Sequence, residues 1–120
     1  MKIRVYYEDT DIGGVVYYAN YLKFIERARS ELFFAKGISP FGEDGHFVVA
    51  RVEADFLRSA RLGDLLEVKT VLLQAKAASI LLLQSIYLGE QKIFEAKVKL
   101  AFILNSKPAK IPRQILQILL

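Results

Sequence analysis

The stretch "NYLKFIERARSELFFAKG", residues 20–37, decides the fold, because it carries a helical pattern in a chain whose other long segments alternate like strands. Its apolar side chains recur every three or four residues, which places them on one face of an α-helix. They are Tyr21, Phe24, Ile25, Ala28, Leu32 and Ala35. Asn20 suits the N-cap, and Gly37 suits the position just after the last turn. We therefore predict one helix of about fifteen residues.

On both sides of this helix the apolar residues follow the two-residue period of β-strands. Residues 2–7 form a short predicted strand, and longer ones follow in residues 48–57, 65–74, 79–88 and 92–104. The tripeptide "GEQ" between the last two strands predicts a hairpin. One face of the last strand is apolar throughout, at Phe94, Ala96, Val98, Leu100, Phe102 and Leu104.

Glycine and proline residues mark two further segments of the chain. Residues 36–47 contain three glycines and a proline, which predicts a loop after the helix. Pro112 suits the start of a short terminal helix. Strands that run together around one helix predict an α+β fold with an antiparallel sheet.

The strand at residues 80–83 is apolar on both faces, so something must cover both sides of it. One helix cannot do that for a five-stranded sheet. We therefore expect a homo-oligomer, either a dimer or a dimer of dimers.

Length and composition exclude several classes. The 120 residues predict a single domain, 1–120, and the absence of cysteine excludes disulfides and thiolate chemistry. The net charge of +4 comes from Lys and Arg that are scattered along the chain. A nucleic-acid-binding protein usually clusters these residues, so we do not expect this chain to bind nucleic acid. No apolar run is long enough to cross a membrane, and no signal peptide opens the chain, so we expect a cytoplasmic protein.

The segment "YYEDTDIGGVVYYANY", residues 6–21, places three carboxylates and two glycines directly before the helix. A helix N-terminus offers free N–H groups and positive potential, which suit an oxyanion or a polarised carbonyl. A nearby carboxylate would stay ionised, as a nucleophile or general base requires. From the residues alone, Glu8, Asp9 and Asp11 form either an acidic turn or a working site.

Three segments resemble one family. Residues 6–29, "YYEDTDIGGVVYYANYLKFIERAR", are similar to the signature of the hotdog-fold acyl-CoA thioesterases of the 4-hydroxybenzoyl-CoA thioesterase group, in its Tol-Pal-associated, YbgC-like branch. Residues 47–70 and 97–112 resemble later blocks of the same family. The resemblance covers nearly the whole chain. It implies a hotdog fold, in which a sheet wraps around one long helix, and assembly into dimers and often tetramers.

The resemblance also assigns roles to residues. It places the catalytic carboxylate at Asp11 and the carbonyl-polarising backbone amide at Tyr18, with Gly14 letting the substrate approach the backbone. The nearest branch usually has His where this chain has Tyr18, so an imidazole role is absent while the amide role is kept. Tyr7 is a candidate for orienting Asp11 or a water.

The CoA part of an acyl-CoA substrate requires further binding residues. CoA phosphates need cations, and Lys107 and Lys110 are the candidates, with Arg58 and Arg61 in reserve. The implied reaction needs no metal and no cofactor. It converts an acyl-CoA to a free acid and CoA, with Asp11 either attacking the carbonyl or deprotonating a water.

Two other functions compete with this one. A hotdog hydratase would use a catalytic His, and the only histidine, His46, lies outside the motif. A non-enzymatic scaffold that binds acyl carrier protein or envelope partners is the second alternative, and an intact Asp11 motif argues against it.

Overall fold

The computed structural model describes all 120 residues and contains two helices and seven strands. The strands are β1 (Lys2–Arg4), β2 (Phe41–Gly42), β3 (Gly45–Phe56), β4 (Leu65–Ala75), β5 (Ser79–Leu88), β6 (Gln91–Leu104) and β7 (Lys107–Pro108). The helices are α1 (Asn20–Phe34) and α2 (Arg113–Ile118), and a 3-10 turn spans Tyr7–Asp9. None of the helices is long and apolar enough to cross a membrane.

All seven strands belong to one antiparallel sheet in the order β1-β4-β5-β6-β3-β2, with β7 against the end of β6. The predicted α+β fold, with one long helix on an antiparallel sheet, is confirmed. Gly89, at φ +61°, closes the predicted hairpin between β5 and β6.

Helix α1 packs on the sheet through Tyr21, Phe24, Ile25 and Ala28, each at most 4% exposed. Facing them, the predicted apolar face of β6 is buried from Phe94 to Phe102, whereas Leu104 is 36% exposed. These residues form one hydrophobic core with the inner face of β5.

The last turn of α1 departs from the predicted face. Phe33 is buried at 6% exposure, while Leu32 is half-buried and Ala35 is exposed. Phe33 lines a small cavity together with Phe47 of β3 and Leu119, which follows α2, so the buried stripe turns towards that cavity at the end of the helix. Gly37 ends the helix as predicted, because at φ +71° it lets the Ile38 N–H donate to the Phe33 carbonyl at 3.0 Å.

The core contains a buried, hydrogen-bonded glutamine, Gln84, that the sequence analysis did not predict. Gln84 is fully buried, and its Nε2 donates to the Ile25 carbonyl and to Thr70 Oγ1, both at 3.0 Å. Its Oε1 accepts from Arg29 Nη1 at 2.9 Å, and burial lowers the pKa of that guanidinium. Since a buried amide is stabilising only when its bonds are satisfied, Gln84 fixes the middle of α1 against the sheet.

Three predicted boundaries are wrong. The first strand ends at Arg4 rather than at residue 7, because the chain turns into the 3-10 segment there. Part of the predicted loop at residues 36–47 is the β2–β3 hairpin. Asn20 is the first helical residue rather than the N-cap, which is Ala19, and its side chain is used elsewhere.

Strand β3 lies near the edge of the sheet. Beyond it β2 pairs only with Gly45 and His46, so the rest of that edge has no neighbour. A bulge between Val49 and Arg51 also interrupts the predicted two-residue alternation.

Candidate active site

The segment between β1 and α1 is a tight, hydrogen-bonded hairpin. The Tyr17 N–H donates to the Asp9 carbonyl and the Asp11 N–H donates to the Val15 carbonyl, both at 2.9 Å. At the tip of the hairpin the Gly14 N–H donates to the Asp11 carbonyl at 3.0 Å, and Gly14 adopts φ +79°. The hairpin therefore holds Asp11 in a fixed turn next to the start of the helix.

Asp9 has a structural role. Its side chain is only 7% exposed, and Oδ2 accepts the Tyr6 N–H at 2.8 Å. Its carbonyl oxygen accepts the Tyr17 N–H and the side-chain amide of Asn20, each at 2.9 Å. Asp9 thus ties the 3-10 turn to the start of α1.

Asp11 is placed differently, although it is only two residues away. Its side chain is exposed, and Oδ1 accepts the Gly13 N–H at 2.8 Å, whereas Oδ2 accepts no hydrogen bond from the chain. One carboxylate oxygen is thus anchored and the other is available. This geometry suits a carboxylate that reacts with a bound group.

Tyr18 lies two residues before the first helical residue and supplies a free donor. The N–H groups of Tyr17 and Asn20 donate to backbone carbonyls at 2.9 and 2.8 Å, but the N–H groups of Tyr18 and Ala19 donate to no group of the chain. The Tyr18 ring is 60% exposed and rests on Phe56, with centroids 5.9 Å apart. An unpaired N–H before a helix is the donor that a carbonyl-polarising site needs.

The segment between β3 and β4 supports the hairpin from behind. The Val16 N–H donates to the Ala60 carbonyl at 2.8 Å, and Val15 forms a bridge with Arg61. The Ala60 N–H donates to the hydroxyl oxygen of Tyr21 at 3.0 Å. Burial raises the pKa of Tyr21, so its phenol stays neutral. The sequence placed Tyr21 in the core but gave no sign of this bond.

The predicted site residues fall into two groups. Asp11, Gly14 and Tyr18 lie on the same hairpin, and Arg61 lies beside them. Tyr7 also belongs to this segment, but it is 83% exposed and its hydroxyl makes no hydrogen bond to Asp11. An orienting role for Tyr7 stays a prediction.

Lys107 and Lys110 belong to the second group. Lys107 pairs with Leu104 at the far end of β6, whereas Phe94, which contacts Tyr21, lies near its beginning. Ten residues of strand separate the two ends, roughly 33 Å. Within one chain these lysines do not reach Asp11, so their predicted role in CoA binding requires a second copy.

His46 also lies at the far end, where it pairs with Ile103 of β6 and its ring rests against Phe41 with centroids 4.7 Å apart. It therefore contributes nothing to the Asp11 hairpin. No three Asp, Glu or His side chains lie close enough to hold a metal ion together.

Comparison with known proteins identifies the family. The thioesterase superfamily profile matches residues 13–95. The acyl-CoA thioesterase YbgC of Helicobacter pylori (strain ATCC 700392 / 26695) is 41% identical, over 99% of this chain and 98% of its own. The acyl-CoA thioester hydrolase YbgC of Escherichia coli O6:H1 is 38% identical, over 94% of this chain and 89% of its own.

Solved structures agree with this result. The crystal structure of a probable thioesterase from Bartonella henselae is 38% identical and superposes with a TM-score of 0.87, over 93% of this chain and 97% of its own. A thioesterase from Thermus thermophilus, solved with coenzyme A and zinc, is 27% identical with a TM-score of 0.85, over 99% of this chain and 94% of its own. The chain therefore belongs to the thioesterase superfamily, as a hotdog-fold relative of the YbgC acyl-CoA thioesterases.

Proposed function

We propose that this protein hydrolyses acyl-CoA thioesters to a free carboxylic acid and CoA. One observation supports the proposal: on the segment that leads into α1, Asp11 Oδ2 accepts no hydrogen bond and the backbone N–H of Tyr18 donates none, so both groups are available to a substrate. A thioester needs one group to attack or activate water and another to stabilise the developing oxyanion. The names of the YbgC relatives support the same substrate class.

In the proposed reaction the thioester carbonyl accepts a hydrogen bond from the Tyr18 N–H, which polarises the carbon. Asp11 then acts in one of two ways. It attacks the carbon and forms a mixed anhydride that water opens, or it takes a proton from a water that attacks. In both routes the C–S bond breaks, the acyl group gains the water oxygen, and the CoA sulfur leaves as thiol or thiolate.

The exposed turn allows this approach. Gly14 has no side chain, and the space where a Cβ would stand is free of other atoms within 4 Å. A substrate can therefore lie close to the backbone beside Asp11. Arg58 and Arg61 are exposed on the segment behind the hairpin, so they are the cations of the same chain best placed for CoA phosphates.

We further propose that the functional unit is a homodimer formed through β3. Beyond its pairing with β2, the edge of this strand has free hydrogen-bonding groups and exposed Val48, Val49 and Val52. An exposed apolar edge strand normally pairs or is covered. A second copy would satisfy the edge, and it could bring Lys107 and Lys110 to the neighbouring Asp11 hairpin.

A thiol-release assay with short, long and aromatic acyl-CoAs tests the proposed activity. The Asp11→Asn variant is nearly isosteric but can neither attack nor take a proton, so its rate should fall by a factor of about 10²–10⁴. Glu8→Gln is the matched control, because Glu8 is an exposed carboxylate of the same segment with no ion pair. It should keep the wild-type rate.

Two results would contradict the proposal. If Asp11→Asn keeps nearly the full rate on the best substrate, the assigned mechanism is wrong. If the wild-type protein hydrolyses none of the thioesters but binds acyl carrier protein, the scaffold function replaces the enzymatic one.

A further inference from the structure

On β3, part of the inner face of the sheet, the face that carries α1, lies uncovered. Three residues of this strand are turned to that face, since each pairs with a buried residue of β6. They are Val49, Val52 and Phe56, with exposures of 50%, 37% and 49%, whereas their β6 partners are at most 5% exposed. Helix α1 therefore covers β6 and leaves an open apolar strip on β3.

Helix α1 runs alongside this strip. Near its start, the rings of Tyr18 and Tyr21 each lie 5.9 Å from the Phe56 ring, measured between centroids. Near its end, Phe33 lines a cavity of about 210 Å³ that Val49 also lines. The seam, as we call the space between α1 and the β3 strip, therefore leads from Tyr18 to this cavity.

The helix side of the seam is also partly apolar. Leu22, Glu26 and Ser30 follow one another at intervals of four residues, so they lie on one face of α1. Glu26 and Ser30 line the same cavity as Val49, so this face is turned towards β3. Leu22 is 40% exposed, and it adds an apolar side chain to the seam between Tyr18 and the cavity.

The cavity at the end of the seam suits an apolar group. Most of its lining residues are apolar, and its polar side chains make hydrogen bonds within the chain. Ser30 Oγ donates to Glu26 Oε1 at 2.7 Å, and Arg29 Nη1 donates to Gln84 Oε1 at 2.9 Å. Since an apolar cavity of about 150 Å³ can hold a benzene ring, this larger one has room for several carbon atoms.

Leu119, which follows α2, borders two apolar spaces. One is the cavity at Phe33, and the other is a cleft of about 350 Å³ between the end of α1 and β4, where Leu32 and Leu72 line it. The half-buried side chain of Leu119 therefore forms a wall between the cavity and the cleft.

The seam leaves Tyr18 in the direction away from the cations that were assigned to CoA. After Phe56 the chain continues to Arg58 and Arg61 behind the hairpin, whereas the seam runs back along β3 towards Val49. The sulfur and the acyl chain of a thioester leave the carbonyl carbon on different sides. With CoA towards the two arginines, the acyl chain enters the seam.

We propose that the seam binds the acyl chain of long, unbranched acyl-CoA thioesters and that Leu119 is the wall that limits their length. The position of the carbonyl at Tyr18 rests on the proposed function. A rise of 1.5 Å per residue puts Glu26 about 12 Å and Phe33 about 22 Å beyond Tyr18. With C–C bonds of about 1.5 Å, an extended chain advances roughly 1.25 Å per carbon, so about ten carbons reach the cavity and about sixteen fill it. An aromatic acyl group ends before the cavity.

A second copy of the chain is the competing occupant of the β3 strip, because the edge of β3 is also the proposed dimer contact. The cavity, however, lies beneath α1, where Leu82 and Leu100 of the central strands line it. A copy that pairs with the edge would cover the seam from outside and would leave this cavity unfilled. An acyl chain accounts for both the open strip and the cavity.

Thiol release from straight-chain acyl-CoAs of increasing length tests the proposal. Each buried CH₂ group favours binding about fourfold, so kcat/KM should rise at least about tenfold from hexanoyl-CoA to tetradecanoyl-CoA. It should fall again once the chain is too long for the cavity. Benzoyl-CoA should react no better than hexanoyl-CoA.

Variants of the cavity test the wall. Leu119→Trp fills the cavity, so the ratio of kcat/KM for tetradecanoyl-CoA to that for hexanoyl-CoA should fall at least about tenfold. Leu119→Ala joins the cavity to the cleft and should move the best substrate to a longer chain. Ser30→Phe fills the cavity from the helix side, which keeps the test valid if α2 does not tolerate the tryptophan. Leu120→Trp is the matched control, because Leu120 is 83% exposed and does not line the cavity, and it should keep the wild-type ratio.

A binding measurement separates the seam from the chemistry. Calorimetric titration of Asp11→Asn should show tetradecanoyl-CoA binding at least about tenfold more tightly than hexanoyl-CoA, and Leu119→Trp in the same background should remove the difference. If the wild type hydrolyses no thioester while this preference holds, the proposed function fails and the seam stands.

Three results overturn the proposal. The first is that the wild type hydrolyses and binds both thioesters equally well, which would leave the proposed function intact. The second is that the two filling variants, shown to be folded by circular dichroism, keep the wild-type ratio. The third is that they keep this ratio and change the mass measured by light scattering, which would assign the seam to a second copy.

Discussion

The hydroxyl oxygen of Tyr21, in the first turn of α1, accepts a hydrogen bond from the backbone N–H of Ala60 at 3.0 Å. Both residues are buried, at 4% and 0% exposure. The Tyr21 ring also stacks on Phe94 with centroids 5.4 Å apart. A single side chain thus connects the start of the helix, the segment behind the hairpin and the centre of the sheet.

Tyr21→Phe should destabilise the protein while it preserves the stacked ring. The change leaves the Ala60 N–H buried without an acceptor, which costs about 1–3 kcal/mol. Urea unfolding followed by circular dichroism measures the loss. An unchanged unfolding midpoint would mean that water replaces the hydroxyl and that the bond is not a structural tie.

Asp9→Asn should affect stability and Asp11→Asn should not. The Asp9 carboxylate is buried and accepts the Tyr6 N–H at 2.8 Å, so loss of its charge weakens a charge-assisted bond by about 1–2 kcal/mol. Asp11 is exposed, and its bond to Gly13 can be kept by the amide oxygen.

The two variants should therefore show opposite behaviour in two measurements. Thermal unfolding should detect Asp9→Asn, and thiol release should detect Asp11→Asn. A loss of rate for Asp9→Asn equal to that for Asp11→Asn would assign the chemistry to the wrong carboxylate.

The role of Tyr18 should lie in its backbone rather than in its ring. Replacement of residue 18 by the matching α-hydroxy acid keeps the side chain but converts the amide N–H to an ester oxygen. Because this N–H donates to no group of the chain, the fold should be unaffected. The rate should fall by about 10²–10³, as when an oxyanion-hole donor is removed.

Tyr18→Ala is the matched control for that experiment. It keeps the N–H and removes a ring that is 60% exposed, so the rate should stay within about tenfold of wild type. If the ring variant loses as much rate as the ester, the side chain takes part in the chemistry.

Sequence periodicity correctly predicted the buried face of those elements that pack against the core on one side only. The face of β6 from Phe94 to Phe102 and the first two turns of α1 are buried as expected, because each packs against a continuous apolar surface. The end of α1 was mispredicted, since Phe33 lies off the predicted apolar face and is nevertheless buried, beside a cavity that Phe47 and Leu119 also line. Such packing depends on contacts distant in sequence.

The site shows the same division. Asp11, Gly14 and Tyr18 lie within eight residues of one another, so one family motif assigns roles to all three, and these roles stay predictions. Three hydrogen bonds support this hairpin: from the Asn20 side chain to the Asp9 carbonyl, from the Val16 N–H to the Ala60 carbonyl, and from the Ala60 N–H to the Tyr21 hydroxyl. They use backbone groups or side chains that are equally common in cores and caps. Lys107 and Lys110 were predicted to bind CoA phosphates because they are cations. Their charge gives no information about how far they lie from Asp11 in the folded sheet.

Gly13 and Gly14, adjacent in the turn, should respond differently to alanine. A Cβ at Gly13 would stand 3.2 Å from Asp11 Oδ1, so Gly13→Ala should push the carboxylate by a few tenths of an ångström. Since small misplacements of a reacting group lower the rate steeply, we expect a loss of about tenfold in kcat with little change in stability.

Gly14 instead adopts φ +79° with nothing within 4 Å of an added Cβ. Gly14→Ala should therefore cost about 1–2 kcal/mol of stability through backbone strain alone. Once the variant is folded, its kcat should stay near the wild-type value, whereas KM should rise if the substrate lies against this turn. Steady-state kinetics with the best acyl-CoA, together with urea unfolding of both variants, checks the pair. Equal effects of the two alanines on kcat would show that turn geometry as a whole, rather than the position of the Asp11 carboxylate, limits the reaction.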